Sequence, residues 1–220
     1  MQVHEQTLKV LRNFCNINQS ILIPKGTKIQ SIAERSNILA EFDGEDEFPM
    51  EFAIYDLIPF LGTLDLFKNP KLEFDESYVT ISSAEGGASC TYFYADPNAI
   101  TNVTGKTVKI KDWEISFSLS ESVIKEILKI SSVLALPHLS VIGQNGHLKL
   151  IVHDKAIATS NTWEMDLKDW EGADFSNSLR IDFLKIIPGN YDVKISSNVL
   201  SCWENTDMNL KYYISLEFER

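Results

Sequence analysis

The segment Phe52–Phe67 reads FAIYDLIPFLGTLDLF and fits no single element. It is too apolar for a surface loop, Pro59 and Gly62 interrupt it, and an acidic run precedes it. Glu51–Ile54 predicts a short strand, and Tyr55–Asp56 the approach to a helix running from about Leu57 to Phe67. Asp56 can cap that helix, which puts Pro59 in the first turn, where a missing N–H costs little. A similar passage occurs at Asp174–Ile187, DFSNSLRIDFLKII. There a strand around Phe175 is expected to give way to a short helix over Ile181–Ile187, stopped by Pro188–Gly189.

The flanking sequence repeats as well. Glu5–Asn16 places Leu8, Leu11 and Cys15 on one face, with Lys9 and Arg12 on another, which predicts an amphipathic helix. Strand, turn and strand follow over Ser20–Ile23, Pro24–Thr27 and Lys28–Ala33, then a third strand over Asn37–Phe42 closed by an acidic turn, Asp43–Glu47. In the second half, a helix within Ser118–Leu136 has Ser120 as N-cap and Val123, Ile124, Ile127 and Leu128 as its apolar face. Strands Leu139–Ile142 and His147–Val152 flank the hairpin signal Asn145–Gly146, and Ile157–Ser160 reads as a further strand. Each half then closes on alternating strands. These are Lys71–Phe74, Tyr78–Ile81 and Thr91–Tyr94 in the first half. In the second they are Tyr191–Ser196, a strand toward Trp203, and Lys211–Phe218. Asp96 to about Lys111, rich in Pro, Asn, Gly and Thr, reads as the linker.

At 220 residues the chain can bury a core as one large domain or two of half that length. The net charge of −11 argues against a chain that coats nucleic acid with a basic surface. It leaves room for a concentrated basic stripe on an acidic body. Cys15, Cys90 and Cys202 are odd in number and far apart, so neither a disulfide framework nor a metal-ligand spacing follows, and reduced cytosolic thiols are expected. No signal-peptide pattern or bilayer-length apolar run is expected, and the N-x-S/T matches at Asn18 and Asn102 read as chance.

Catalytic patterns are scarce. His147 and His153 could approach on one sheet, but no third ligand stands out, and both read as surface or edge residues. Gly86–Gly87 has no helix behind it and reads as a hairpin turn rather than a phosphate loop. Asp166 and Asp169 could hold a divalent ion, although incidental pairs are expected among 31 acidic residues. No Ser/His/Asp arrangement is identifiable. The reading is a protein that is not an enzyme, with no cofactor and no metal. The informative feature is the placement of cations. Lys9, Arg12, Lys125 and Lys129 lie on polar faces of matching helices, Lys68 follows the second helix, and Arg180 and Lys185 lie at its later counterpart. Helices ordinarily turn lysines to solvent, and Glu5, Glu121 and Glu126 dilute the stripe. Yet the same placement occurs in both halves.

Several stretches, taken together, resemble a known family. They are Leu11–Asn18 (LRNFCNIN) with Ile21–Ile23, Ala53–Leu57 (AIYDL) with Phe60–Leu64 (FLGTL), Ala95–Pro97, and Pro188–Tyr191 (PGNY). They cover the chain in the right order and resemble the DNA polymerase sliding clamp, or processivity factor, of T-even-like bacteriophages. The resemblance implies an α+β DNA clamp fold with two similar domains, residues 1–105 and 106–220, each with an antiparallel sheet outside and two helices inside. It further implies a homotrimeric ring around duplex DNA, joined by edge-strand pairing and opened by a clamp-loader ATPase. The ring would tether the replicative DNA polymerase, meet a sigma-like factor of late transcription, and work in the cytoplasm of an infected bacterial host without a membrane. On that footing Lys9, Arg12, Lys68, Lys125, Lys129, Arg180 and Lys185 are expected to face DNA. Val108, Trp113, Trp203 and Tyr212 are candidates for a partner-peptide pocket, the alternative being that these aromatics fill the sheet–helix core. A non-enzymatic phage structural or interaction module assembling through sheet edges is the competing reading. An enzyme with dispersed active-site residues comes third. Trp163–Trp170, an acidic loop in this reading, matches no feature of the family.

Overall fold

The computed structural model describes residues 1–83, 85–103, 108–197 and 199–217. The chain divides into two compact units, Met1–Thr107 and Val108–Arg220. The expected boundary at 105/106 lies outside the described residues.

In the first unit, α1 (Glu5–Phe14) buries Thr7, Val10, Leu11 and Phe14, the spacing of one helical face. The strands β1 (Ile21–Ile23), β2 (Gly26–Ile32), β3 (Ile38–Phe48) and β4 (Phe52–Ile54) follow. β4 pairs antiparallel with β1, β2 pairs with β3, and β1 packs beside β2. All three residues of β4 are buried, which explains its unbroken apolar run: a strand covered on both faces shows no alternation. The chain then turns into α2 (Leu57–Asp65). Asp56 Oδ1 accepts the Ile58 N–H at 3.0 Å, and the Leu57 N–H is taken by the Gln19 carbonyl at 2.8 Å. Pro59 sits in the first turn, as predicted. A meander completes the unit, β5 (Pro70–Phe74), β6 (Tyr78–Ser83) and β7 (Ser89–Phe93). Gln2 bridges to Lys71 on the other side of β5, with Leu72 N–H on the Met1 carbonyl at 2.8 Å.

The second unit repeats this plan. β8 (Ile115–Leu119) leads into α3 (Glu121–Leu134), whose first turn is capped by Ser120 Oγ accepting the Val123 N–H. Next come β9 (His138–Gln144), β10 (His147–His153), β11 (Trp163–Asp169) and β12 (Phe175–Arg180), ordered β11-β10-β9-β12. The first unit has the same order, β3-β2-β1-β4, but there β1 only packs beside β2 and no ladder joins the two. Asn145 and Gly146 both take positive φ, 53° and 81°, as the tight β9–β10 hairpin requires. After a single 3-10 turn at Ile181–Phe183, β13 (Tyr191–Ser196), β14 (Leu200–Asn205) and β15 (Leu210–Ser215) follow, with β8 beside β13. β8 thus occupies the place that Gln2 holds next to β5.

Four expectations change. The acidic residues Asp43–Glu47 form no turn but belong to β3, which pairs with β2 on both sides of them, and Asp43 and Asp46 have hydrogen-bond partners. Thr27 Oγ1 donates to Asp43 at 2.6 Å, and the His4 N–H donates to the buried Asp46 at 2.9 Å. Ile157–Ser160 is two tight turns rather than a strand, with Ile157 N–H on the Asp154 carbonyl and Ser160 N–H on that of Ile157. The strand lies later, at Trp163–Asp169, in what reads as an acidic loop. The helix expected over Ile181–Ile187 shrinks to the 3-10 turn. Its buried residues, Ile181, Leu184 and Ile187, are spaced by three, which suits the 3-10 repeat, and Pro188 disfavours a helical Ile187. Finally, β8 comes as an unforeseen strand, and Phe218, expected at the end of the last strand, lies outside the described residues.

Candidate nucleic-acid interface

The polar faces of α1 and α3 present the cations. α1 turns Val10, Leu11 and Phe14 inward and leaves Lys9 and Arg12 exposed. α3 buries Ile124 and Ile127 and exposes Lys125 and Lys129 one turn apart. Each helix therefore carries two basic residues on its solvent side, at corresponding places in the two units. The partners of these four differ. Arg12 Nη2 lies 2.6 Å from Asp65 Oδ1 at the end of α2, and Lys125 is paired with Glu121 in the first turn of α3. Among the described residues neither Lys9 nor Lys129 has a carboxylate within ion-pair distance.

The other three expected contacts are placed less regularly. Lys68 follows α2 and lies 3.7 Å from Glu85. Arg180 ends β12 and grips Asp182 with two hydrogen bonds, 3.0 and 3.2 Å, which raise its pKa further. Lys185 is exposed in the segment beyond the 3-10 turn. Neither of the last two stands on a helix, because the helix expected there does not form.

The pocket candidates divide between core and surface. Trp203 and Tyr212 are 1% and 0% exposed. The Trp203 indole N–H donates to Ser201 Oγ at 3.0 Å, the Ile187 N–H donates to the Tyr212 hydroxyl at 3.2 Å, and the ring of Tyr191 lies 6.3 Å from both. These aromatics fill the core, so they offer no surface to a peptide. Val108 and Trp113 remain half-buried near the start of the second unit. A surface groove of about 530 Å³ exists elsewhere in that unit, between β8 and β11, with Phe117 and Leu167 in its lining and Lys168 Nζ reaching the Ser116 carbonyl at 2.8 Å. Asp192, Val193 and Lys194 of β13, a strand the sequence did predict, also line it, but β8 and β11 were not foreseen, so the groove between them was not legible.

The histidines also pair differently from expectation. His153 stands in register with His138, ring centroids 6.3 Å apart, whereas His147 lies at the far end of β10 opposite Gln144. His138, 6% exposed, accepts the Lys155 N–H at Nδ1 and has Glu217 3.3 Å from Nε2. Burial, with His138 adding to it, lowers the His153 pKa. Ser140, 2.7 Å from His153 Nε2, and Ser178 behind it are both buried, so this chain of hydrogen bonds has no nucleophile open to a substrate. Asp166 is drawn to Lys149 at 3.6 Å while Asp169 stands opposite His147. No cluster among the described residues has the make-up of a metal site.

Several strands end their sheets among the described residues, β7 and β11 among them. β7 ends the β5-β6-β7 meander and carries Phe93, 69% exposed, and β11 ends its own sheet with Trp163, Met165 and Leu167 half-buried.

The fold is that of the DNA clamps. The structure is similar to the crystal structure of proliferating cellular nuclear antigen from Entamoeba histolytica, with a TM-score of 0.69 at 14% identity, covering 96% of this chain and 95% of that one. In sequence the chain is similar to bacteriophage proteins named sliding clamp. It is 28% identical over 222 residues to the sliding clamp of Vibrio phage KVP40, covering 99% of both. It is 23% identical to that of Escherichia phage RB69, over 99% of this chain and 97% of the relative. For the sliding clamp of Enterobacteria phage T4 the identity is 25%, over 87% and 85%. No protein-family profile matches the chain.

Proposed function

We propose that this protein is a sliding clamp that encircles duplex DNA as a homotrimeric ring and confers processivity on the replicative DNA polymerase it tethers. The observation that carries this reading is the pair of exposed, mildly basic helix faces, Lys9 with Arg12 and Lys125 with Lys129, recurring at the same place in two repeated units. Sliding requires attraction to phosphate without base readout, through contacts weak enough to exchange. A few cations on helices meet that need, and the net charge of −11 disfavours adsorption of DNA elsewhere on the protein. Lys68, Arg180 and Lys185 add to the DNA-facing set in this reading.

The open edges of β7 and β11 suit the assembly. They belong to different sheets, so pairing β7 of one copy with β11 of the next is a head-to-tail contact, which makes a closed ring when the rotation closes. Such pairing also covers edges that would otherwise invite aggregation. In this reading a clamp-loader ATPase opens the ring and a sigma-like factor of late transcription also docks on it. The work takes place in the cytoplasm of the infected host, and the clamp performs no catalysis of its own. Val108 and Trp113 remain as candidates for partner-peptide contact.

The test is a primer-extension assay with the cognate loader and polymerase. Replacing Lys9 and Lys129 by Glu is expected to shorten the extension products several-fold while leaving the thermal transition in place. Products of unchanged length would remove these residues from the DNA-facing set.

A further inference from the structure

We propose that Asp65 and Glu121 are built-in counterions that hold down the basicity of the DNA-facing helices, so that DNA is retained by enclosure rather than by adsorption. The inference rests on the reading above and adds the residues that tune it. Among the described residues, each of the two helices carries one cation held by a carboxylate and one with no carboxylate within ion-pair distance, called free below. On α1 Arg12 is held and Lys9 is free; on α3 Lys125 is held and Lys129 is free. The two units reach this pattern by different means. In the first, the carboxylate comes from another element, Asp65 at the end of α2, 2.6 Å from the guanidinium. In the second it comes from α3 itself, Glu121 one turn before Lys125, the favourable order for an i,i+4 pair. Two constructions with one outcome point to the outcome as the thing that matters.

Both pairs are exposed, at 45% and 60% for Arg12 and Asp65 and 65% and 40% for Lys125 and Glu121. Exposed pairs contribute little to folding, so they open easily. A phosphate passing such a site exchanges one ion pair for another, and the carboxylate recovers its cation when the phosphate moves on. The exchange leaves little net gain in binding, while the free Lys9 and Lys129 supply the remaining attraction. Two helix faces with all four cations unpaired would grip DNA more tightly and slide less readily.

The test uses the full-length protein, a linear duplex oligonucleotide and a salt series starting at low ionic strength. D65N and E121Q, alone and combined, are expected to tighten duplex binding several-fold. They should steepen the dependence of log K on log salt by roughly 0.9 for each phosphate newly neutralised. E126Q makes the same charge change on α3 at a residue with no ion pair among the described residues and is expected to have a clearly smaller effect. Equal tightening by E126Q would overturn the proposal in favour of net charge alone. So would an unchanged salt slope in D65N and E121Q when K9A and K129A, measured alongside, weaken binding; the DNA-facing reading would then stand without the counterions. If none of these variants changes binding, the DNA-facing reading fails together with the proposal.

Discussion

Tyr191, Trp203 and Tyr212 occupy the centre of the second unit, and each has a polar partner there. The Tyr191 hydroxyl donates to the Ile187 carbonyl at 2.6 Å, just as the Ile187 N–H is taken by Tyr212. One segment before Pro188 is thus tied down by two phenols. Burial pushes the Tyr191 pKa up to about 12 and raises that of Tyr212 as well. An unfolded tyrosine ionises near pH 10, so above that the unfolded chain releases a proton that the folded one keeps. Stability from Tyr191 is therefore complete below about pH 10 and falls by about 1.4 kcal/mol per pH unit as pH rises toward 12. A thermal-melting series from pH 8 upward is expected to show this loss, and Tyr191→Phe to reduce it. Truncating Trp203 to Ala removes a fully buried ring and is expected to cost about 3–5 kcal/mol in urea denaturation. A small cost combined with lost partner binding would return Trp203 to the pocket set. From sequence alone these aromatics could serve either role, since an aromatic on a strand looks the same whether the face beneath it is covered or open.

Helix α2 shows how local chemistry and packing share control of an element. Its sequence is more apolar than an exposed helix tolerates, and Leu57, Phe60, Leu61 and Leu64 are indeed buried while Ile58 and Leu66 stay exposed. The capping carboxylate of Asp56 sets where it begins. Asp56→Ala is expected to destabilise the first unit by about 1 kcal/mol, read as a lower thermal midpoint. The hairpin between β9 and β10 is similarly local. Gly146 holds φ of 81°, and Gly146→Ala is expected to cost about 1 kcal/mol there through backbone strain, with nothing nearby for the added methyl to strike. Both elements were legible in the sequence because a cap or a turn is specified within four residues. The 3-10 turn at Ile181–Phe183 was not, because the apolar residues Ile181, Leu184 and Ile187, spaced by three, fit either helix, and the choice fell to their burial.

At the scale of the whole molecule, the proposed ring is a statement about sheet edges. A single chain of 24.9 kDa is expected to give a native mass three times that value at low micromolar concentration. Phe93→Glu places a charge on the exposed side of β7 and is expected to shift the population toward monomer without altering the chain's own melting. A wild-type chain that stays monomeric across a concentration series would leave the clamp fold intact and remove the stable free trimer. A larger assembly of other symmetry would favour the structural-module reading.

The sequence by itself determined that the chain repeats one order of elements. It also determined where α1, α2 and α3 begin, that Asn145–Gly146 is a hairpin, and which two helices carry paired cations. All of these follow from periodicity, caps and turn residues acting over a few positions. Only the tertiary structure decided that Asp43–Glu47 continue a strand, that Ile115–Leu119 and Trp163–Asp169 are strands at all, and that Trp203 and Tyr212 are core. It also decided that Arg12 and Lys125 are held by carboxylates while, among the described residues, Lys9 and Lys129 have none within ion-pair distance. Those outcomes depend on what lies opposite each residue. Asp46 is set by a backbone N–H forty-two residues away and Arg12 by a carboxylate fifty-three away, distances over which sequence carries no local signal.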